Sequence, residues 1–248
     1  MTAVDTPRRI PVRRSQTRRA AWWLLSSHLY MAVWFWGIIL VLTVAATVVF
    51  RADGLGVRDD GTAASVVSMG TQAAMWFSFA MAIALSLRQL AAHLAAGLTR
   101  RSFVRANLVT VVGMAAVYSL VMVVLLVVEA LVVDAAGWRA RTVAGVSFDG
   151  VADAPRMFLV YLLVFATAAF AGLVVGMAYH RLGGLWGTVA LIPAIPPLFV
   201  VMMLLVDRGS SGWLPAALDS DALRMLLTAA IAVVYAVVYQ ASMRRVTV

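Results

Sequence analysis

The chain contains no cysteine and no lysine, and both absences narrow what it can be. Without cysteine it has no disulfide framework, thiolate metal site or thiol nucleophile. Without lysine its 20 basic residues are all arginines, set against 11 acidic residues, for a formal net charge of +9. Only 12% of its residues are charged and 63% are hydrophobic, whereas a globular domain has about a quarter charged and about half apolar residues. This composition, with a mean hydropathy of +0.94, predicts a membrane protein.

Charged side chains are also scarce inside the long apolar runs. Six runs can be marked, at about 29–50, 68–87, 106–130, 157–179, 185–206 and 222–242. Each is long enough to cross about 30 Å of hydrocarbon as a helix. Only Glu129 and Arg224, both near the end of a run, are charged residues within them. Ion-coupled carriers usually keep an ionisable group at depth, so the sequence does not favour a secondary transporter.

Motifs of membrane enzymes are missing too. There is no GxxxxGK[ST] phosphate-binding loop, so the chain cannot hydrolyse ATP by that route. His28, His93 and His180 occur without an HExxH or short HxxH spacing, which argues against a metal site. The paired aspartates of VRDDGTAAS, 57–65, lack a second acidic pair and indicate a polar turn. The sequence predicts no catalytic residue, no metal and no cofactor in this chain.

The arginines are distributed unevenly between the connections. With the N-terminus in the cytoplasm, 13 arginines and Asp5 lie inside, while seven arginines and the other ten acids lie outside. The positive-inside rule therefore predicts six spans with both termini in the cytoplasm, in a multi-pass protein of the plasma membrane. Because the basic residues flank spans and form no separate domain, they indicate topology and attraction to membrane lipids, and no nucleic-acid partner.

The first 28 residues form a basic region that precedes the predicted six-span domain, 29–248. Arginine pairs at 8–9, 13–14 and 18–19 lead into an aromatic cluster that begins with Trp22 and Trp23. Two interpretations stay open for this region. It is either a disordered tail with an aromatic anchor, or an interfacial approach helix that lies along the membrane before the first span.

The stretch LAAHLAAGLTRRSFVRANL, 90–108, connects the second and third runs. Leu87, Leu90, Leu94 and Leu98 recur at spacings of three and four, which predicts a short amphipathic helix. Gly97 is a plausible stop, and either Thr99 or Ser102 is expected to cap the third span. Arginines in the first turn of a helix oppose its dipole, so helix stability does not explain them. The stretch is either a topology signal or a docking surface for a partner.

Taken with the basic N-terminal region, GLTRRSFVRANL and AGLVVGMAYHRLGGLWG, 171–187, make the chain resemble the type-2 ABC exporter permeases, particularly the small actinobacterial half-size kind. The resemblance implies a permease that pairs with a second permease subunit, expected to be a copy of itself. It also implies separate ATP-binding cassette subunits, which carry ATP and Mg²⁺ and grip the first cytoplasmic loop. The expected ATPase-coupling residues are Arg88, Leu90, His93, Leu94, Gly97, Leu98, Thr99, Arg100, Arg101 and Phe103.

Two further features bear on a possible pathway or gate. Pro193, Pro196 and Pro197 fall within the fifth run and predict a kinked or broken helix, because each proline removes a backbone hydrogen bond. The freed carbonyls either line a pathway or are satisfied by neighbouring helices. Glu129 is expected to face a partner helix or an outer vestibule, the alternative being an interfacial carboxylate that reaches water.

These inferences favour an all-α permease with six spans and a short amphipathic coupling helix between the second and third. Few polar groups in the spans make a lipophilic exported substrate the expectation. The alternative is a membrane sensor, regulator or interaction subunit with no transport pathway.

Overall fold

The computed structural model describes residues 13–52, 62–97, 99–135, 139–141, 151–206 and 220–244. The helices are α1 Arg13–Ala52, α2 Val66–Ala95, α3 Arg100–Ala135, α4 Ala154–Val189, α5 Leu191–Ala194, α6 Pro196–Leu205 and α7 Asp221–Arg244. Two three-residue strands, β1 Thr62–Ala64 and β2 Arg139–Arg141, pair in parallel, and a 3₁₀ turn covers Val151–Asp153. Apart from this small ribbon, the predicted all-helical architecture is confirmed over these ranges.

Five helices are long and apolar enough to cross a membrane. The qualifying segments are Thr17–Val49, Val66–Leu87, Arg100–Ala135, Val151–Val189 and Asp221–Met243. Helices satisfy their backbone hydrogen bonds internally, as the hydrocarbon core of a bilayer requires. The chain is therefore built as a multi-pass membrane protein.

Helix α1 runs without interruption for 40 residues. The part of the basic region that is described and the first apolar run therefore form one helix, with no turn between an approach segment and a span. Residues 1–12, which include the arginine pair at 8–9, lie outside the described residues.

The contacts between helices fix which termini share an end of the bundle. Helices α1 and α2 are antiparallel, because Trp23 packs on His93 with ring centroids 5.6 Å apart and Ile39 lies beside Gly70. The start of α7 lies beside the start of α4, where Arg156 Nη1 donates to Asp221 Oδ2 over 3.2 Å. One end therefore holds the start of α1 and the α2–α3 turn, and we call it the arginine-rich end. The opposite end, which holds Asp221, is the acid-rich end.

Helices α2 and α4 pack in parallel at very short range. A Cβ atom added at Gly172 would lie 2.2 Å from the carbonyl oxygen of Phe79, and one added at Gly176 would lie 2.7 Å from that of Ile83. Glycines four residues apart let two membrane helices bring their backbones together. This contact organises the buried core, which all the long helices join.

Helix α4 reverses direction at Gly183, where φ is 79° and ψ is −177°. A Cβ added at Gly187 would lie 2.8 Å from the Cα of Tyr179, although eight residues of straight helix would separate the two along the axis by about 12 Å. Positive φ favours glycine because it has no Cβ to clash. The chain therefore turns back at the arginine-rich end.

The returning chain is a broken helix, as the prolines of the fifth run predict. It continues past Gly183 to Val189, is interrupted at Ala190 and Ile195, and ends at Leu205. Phe199 of this segment contacts Trp76 of α2, with ring centroids 6.1 Å apart. The fifth run thus packs back along the bundle in several short pieces.

The predicted separate coupling helix is not formed. The residues from Arg88 to Ala95 are the last two turns of α2, which continues unbroken from Val66. Leu90 and His93 in these turns continue the buried side of α2, so nothing separates this segment from the second span. This corrects the expectation of an independent helix between spans two and three.

Candidate functional site

The α2–α3 turn is built by Gly97 and Thr99, as the sequence predicts. Gly97 has a φ of 78°, which allows the sharp change of direction after α2. Thr99 caps α3, because its Oγ1 accepts from the backbone N–H of Ser102 over 3.3 Å and donates to the Ser102 hydroxyl over 2.9 Å. Of the two expected caps, Thr99 is therefore the one used.

Leu90, His93 and Phe103 are buried inside this chain. Leu90 is 1% exposed and Phe103 is fully buried. The His93 ring lies between Trp23 of α1 and Phe103 of α3, with centroids 5.6 Å and 5.2 Å away, and its Nδ1 bonds the Gln89 carbonyl over 2.7 Å. Leu90 therefore has almost no surface left to offer to another subunit, because its side chain is already buried within this chain.

The remaining predicted coupling residues divide into described and undescribed groups. Arg100, the first residue of α3, is half-buried, and Arg101 is exposed. The side chains of Arg88 and Leu94, and all of Leu98, lie outside the described residues. Of the four leucines that recur at spacings of three and four, the structure therefore describes the side chains of Leu87, which is exposed, and Leu90, which is buried.

Two turns contribute exposed residues at the arginine-rich end, and we call these residues together the turn surface. The first turn contributes Ala96, Gly97, Thr99 and Arg101, all exposed. The hairpin at Gly183 contributes Leu182, Leu185 and Trp186, which are 54%, 76% and 61% exposed. Large apolar side chains that are more than half exposed at a helix end indicate a surface for a partner or for the membrane interface.

Glu129 caps the first turn of α2 at the acid-rich end. Its Oε1 accepts from the backbone N–H groups of Val66 and Val67 over 2.7 and 3.3 Å, and its other oxygen accepts from the Ser65 hydroxyl. These N–H groups have no partner within α2, and a carboxylate there also matches the helix dipole. The prediction that Glu129 faces another helix is confirmed, whereas Asp134 on the same helix is exposed.

We expect Glu129→Ala to loosen this end of the bundle. Loss of the carboxylate leaves three donors without their acceptor, which should lower the free energy of unfolding by about 1–3 kcal/mol. Thermal unfolding of the purified chain in detergent measures the change. Asp134→Ala, which removes an exposed acid from the same helix, is the control and should leave the melting temperature unchanged. Equal melting temperatures for both variants and the unmodified chain would contradict the capping role.

A small cavity with a mainly apolar lining and a few polar groups lies among α1, α2, α3 and α4. His28 Nδ1 bonds the Leu24 carbonyl over 2.8 Å, and since a carbonyl only accepts, we assign the ring proton to Nδ1 and acceptor character to Nε2. Nε2 and the Thr110 hydroxyl are both buried and unpaired among the described residues, and both line this cavity with Ser78 and Tyr118. The space suits about one water molecule, which would satisfy both groups.

Next to the proline break, a neighbouring helix donates a hydrogen bond to a backbone carbonyl. Leu198 N–H donates to the Ile195 carbonyl over 2.9 Å, so it does not serve the Ala194 carbonyl four residues back. The hydroxyl of Tyr235 on α7 donates to that Ala194 oxygen over 2.7 Å. Ala194 lies next to the break at Ile195, but the carbonyls that lose a proline donor are those of Val189, Ile192 and Pro193, so the two fates expected for the freed carbonyls stay open. Pro193 and Pro196 are exposed and Pro197 is half-buried, so the three prolines do not converge on one buried site.

Sequence reasoning missed the His28–Thr110 cavity and the Tyr235 contact. Both join residues far apart in the chain, and no local spacing indicates them. The Gly172–Gly176 contact carries a visible signal, the spacing of two glycines by four within an apolar run. Among the described residues, no group of three or more His, Cys, Asp or Glu side chains is arranged to hold a metal ion.

Comparison with known proteins adds no assignment. No family model matches the chain, and neither a similar curated protein nor a similar solved structure was found. What the chain does must therefore be argued from its own residues.

Proposed function

We propose that the chain is the transmembrane permease subunit of an ATP-driven ABC transporter that exports a lipophilic substrate across the plasma membrane. The observation that carries this proposal is the turn surface. Two exposed turns lie at one end of the bundle. The first joins the long helices α2 and α3, and the second lies at the end of the long straight part of α4. A partner that binds both turns would move those helices as rigid elements, which is how separate ATPases drive a permease.

The proposed topology has six spans with both termini in the cytoplasm. The broken helix between Gly183 and Leu205 supplies the fifth span, because it returns from the arginine-rich end and packs along α2 and α7. The charge distribution supports placing the arginine-rich end in the cytoplasm. In this arrangement the α2–α3 turn and the Gly183 hairpin both face the cytoplasm, where ATP is available.

The ATP-binding cassette subunit is proposed to dock on the turn surface without using Leu90. Leu182, Leu185 and Trp186 provide apolar anchors, and Arg101 provides positive charge at the same end of the bundle. Exposed aromatic and aliphatic anchors give most of the affinity at such interfaces, and rim charges mainly affect the association rate. A second permease subunit, proposed to be a copy of this chain, completes the transporter.

Purification of the tagged full-length chain from its own membrane, in mild detergent, tests the proposal. We expect an ATP-binding cassette subunit to co-purify in a fixed ratio. The variant Ala96→Trp, which adds bulk to the turn surface, should lose that subunit while remaining inserted. Ala135→Trp is the matched control, since Ala135 is equally an exposed alanine at a helix end but lies at the acid-rich end.

Two results would contradict the proposal. One is recovery of a kinase or transcription regulator in place of an ATPase, which would favour a sensor or regulator subunit. The other is that Ala96→Trp retains the ATPase to the same extent as Ala135→Trp. This result would show that the turn surface is not part of the interface with the ATPase.

A further inference from the structure

An open groove runs between α1 and α3 at the arginine-rich end. Its walls combine basic, aromatic and apolar side chains, namely Thr17, Arg18, Arg19, Ala21, Trp22, Trp23, Leu25, Val109 and Thr110. Its volume is about 1320 Å³, and it is open to the surroundings. Pockets for small molecules typically measure about 300–1,000 Å³, so the groove suits a long ligand better than a compact one.

The lining residues are ordered by chemistry along the groove. Arg18 and Arg19 lie at its mouth and are exposed. Trp22 follows and is 71% exposed, a position that suits the headgroup level of a bilayer. Leu25 lies about 10 Å further along α1 than Arg18, and with Val109 it makes the deep part of the groove apolar. The groove therefore changes from cationic to apolar as it enters the membrane.

Acidic residues are absent from the parts of α1 and α3 that form the groove walls. Helix α1 contains no Asp or Glu between Arg13 and Ala52, and α3 contains none before Glu129 near its far end. The two arginines thus give the mouth a net positive charge, and the ligand that matches it carries a negative charge. A second copy of this chain matches this charge poorly, because its own α1, and its α3 before Glu129, offer no acidic residue.

We propose that this groove binds one anionic phospholipid from the leaflet at the arginine-rich end. The guanidinium groups of Arg18 and Arg19 hold the lipid phosphate, a geometry that arginine suits because it donates two parallel hydrogen bonds. One acyl chain lies along Leu25 and Val109 and ends near Thr110. The groove closes beyond this point, since Leu25 packs on α3 with its Cδ1 3.5 Å from a Cβ added at Gly113.

This site differs from general attraction of basic residues to a negative membrane surface. General attraction depends on the number of arginines and falls off over a Debye length, about 8–10 Å at physiological salt. A built groove retains a single lipid after detergent extraction and depends on particular positions. The proposal does not require the chain to transport anything.

Native mass spectrometry of the full-length chain in detergent, mixed with phosphatidylglycerol or phosphatidylcholine, tests the headgroup part. We expect one retained phosphatidylglycerol and about tenfold weaker retention of phosphatidylcholine. Arg19→Gln should reduce phosphatidylglycerol retention by a similar factor. Arg181→Gln, an equal loss of charge at the same end but outside the groove, should have no effect. Equal losses in both variants, or equal retention of the two lipids, would overturn the proposal.

A second pair of variants tests the acyl-chain part. Val109→Trp fills the groove from α3, where Val109 is 60% exposed, while Val124→Trp puts the same side chain at a 52% exposed position of the same helix, outside the groove. Only Val109→Trp should lose the bound lipid, with both variants keeping their melting temperature. Lipid retention by Val109→Trp, or a change in its subunit number without loss of lipid, would show that the groove is not a lipid site.

Discussion

Replacing Gly172 by leucine is expected to destroy the packing of α2 on α4. A Cβ atom alone would lie 2.2 Å from the Phe79 carbonyl oxygen and 2.9 Å from the Ala82 Cβ. A backbone oxygen cannot move aside as the end of a flexible side chain can, so the helices must separate. Overpacking usually costs about 1–3 kcal/mol, and a clash with backbone belongs at or above the upper end of that range.

The loss should appear in detergent as aggregation or as a large fall in melting temperature. Gly37→Leu is the matched control, because Gly37 also lies within a long apolar helix but has no atom within 4 Å of its added Cβ. Gly172→Ala should give a smaller effect in the same direction. If Gly172→Leu purified and melted like Gly37→Leu, the close contact between α2 and α4 would be refuted.

Replacing Leu90 by alanine is expected to destabilise this chain by itself, with no partner present. Leu90 is 1% exposed near the end of α2, and truncating a buried leucine costs about 2–5 kcal/mol through lost contacts and the cavity left behind. The measurement is the melting temperature of the chain purified alone, without any partner.

Leu87→Ala is the control for this prediction. Leu87 lies one turn earlier on the same helix and is 36% exposed, so its truncation should shift the melting temperature much less. If Leu90 instead docked into another subunit, Leu90→Ala would leave the melting temperature of the isolated chain unchanged and would weaken only the complex. An unchanged melting temperature for Leu90→Ala would therefore support the hypothesis that Leu90 docks into another subunit.

The apolar runs predicted the helices well because their length and lack of charge leave few alternatives in lipid. Runs 29–50, 68–87, 106–130, 157–179 and 222–242 all lie inside long helices. The three prolines correctly indicated the breaks in the fifth run. Helix bounds were less predictable, because α1, α2 and α3 extend beyond the hydrocarbon length into basic or polar sequence.

The candidate site was harder to predict because spacing does not say what covers a helix face. The stripe that includes Leu90 has helical periodicity whether it meets α1 and α3 or a separate subunit. Glu129 could be expected to find a partner, since a carboxylate at a span end is rarely isolated. Its donors, at Ser65 to Val67, are more than 60 residues away in sequence, and nothing local identifies them.

The parallel pairing of α2 with α4 also bears on how the protein enters the membrane during synthesis. The Ser86 hydroxyl of α2 donates to the Leu173 carbonyl of α4 over 3.2 Å, and Thr71 and Ser78 are buried on α2 as well. Since α4 follows α2 and α3 in the chain, these hydroxyl groups enter the bilayer before the helix that covers them has been made. Until then α2 must keep its polar face against α1, α3 or an insertase. The buried contact between α2 and α4 thus forms only after α4 has entered the membrane beside α2.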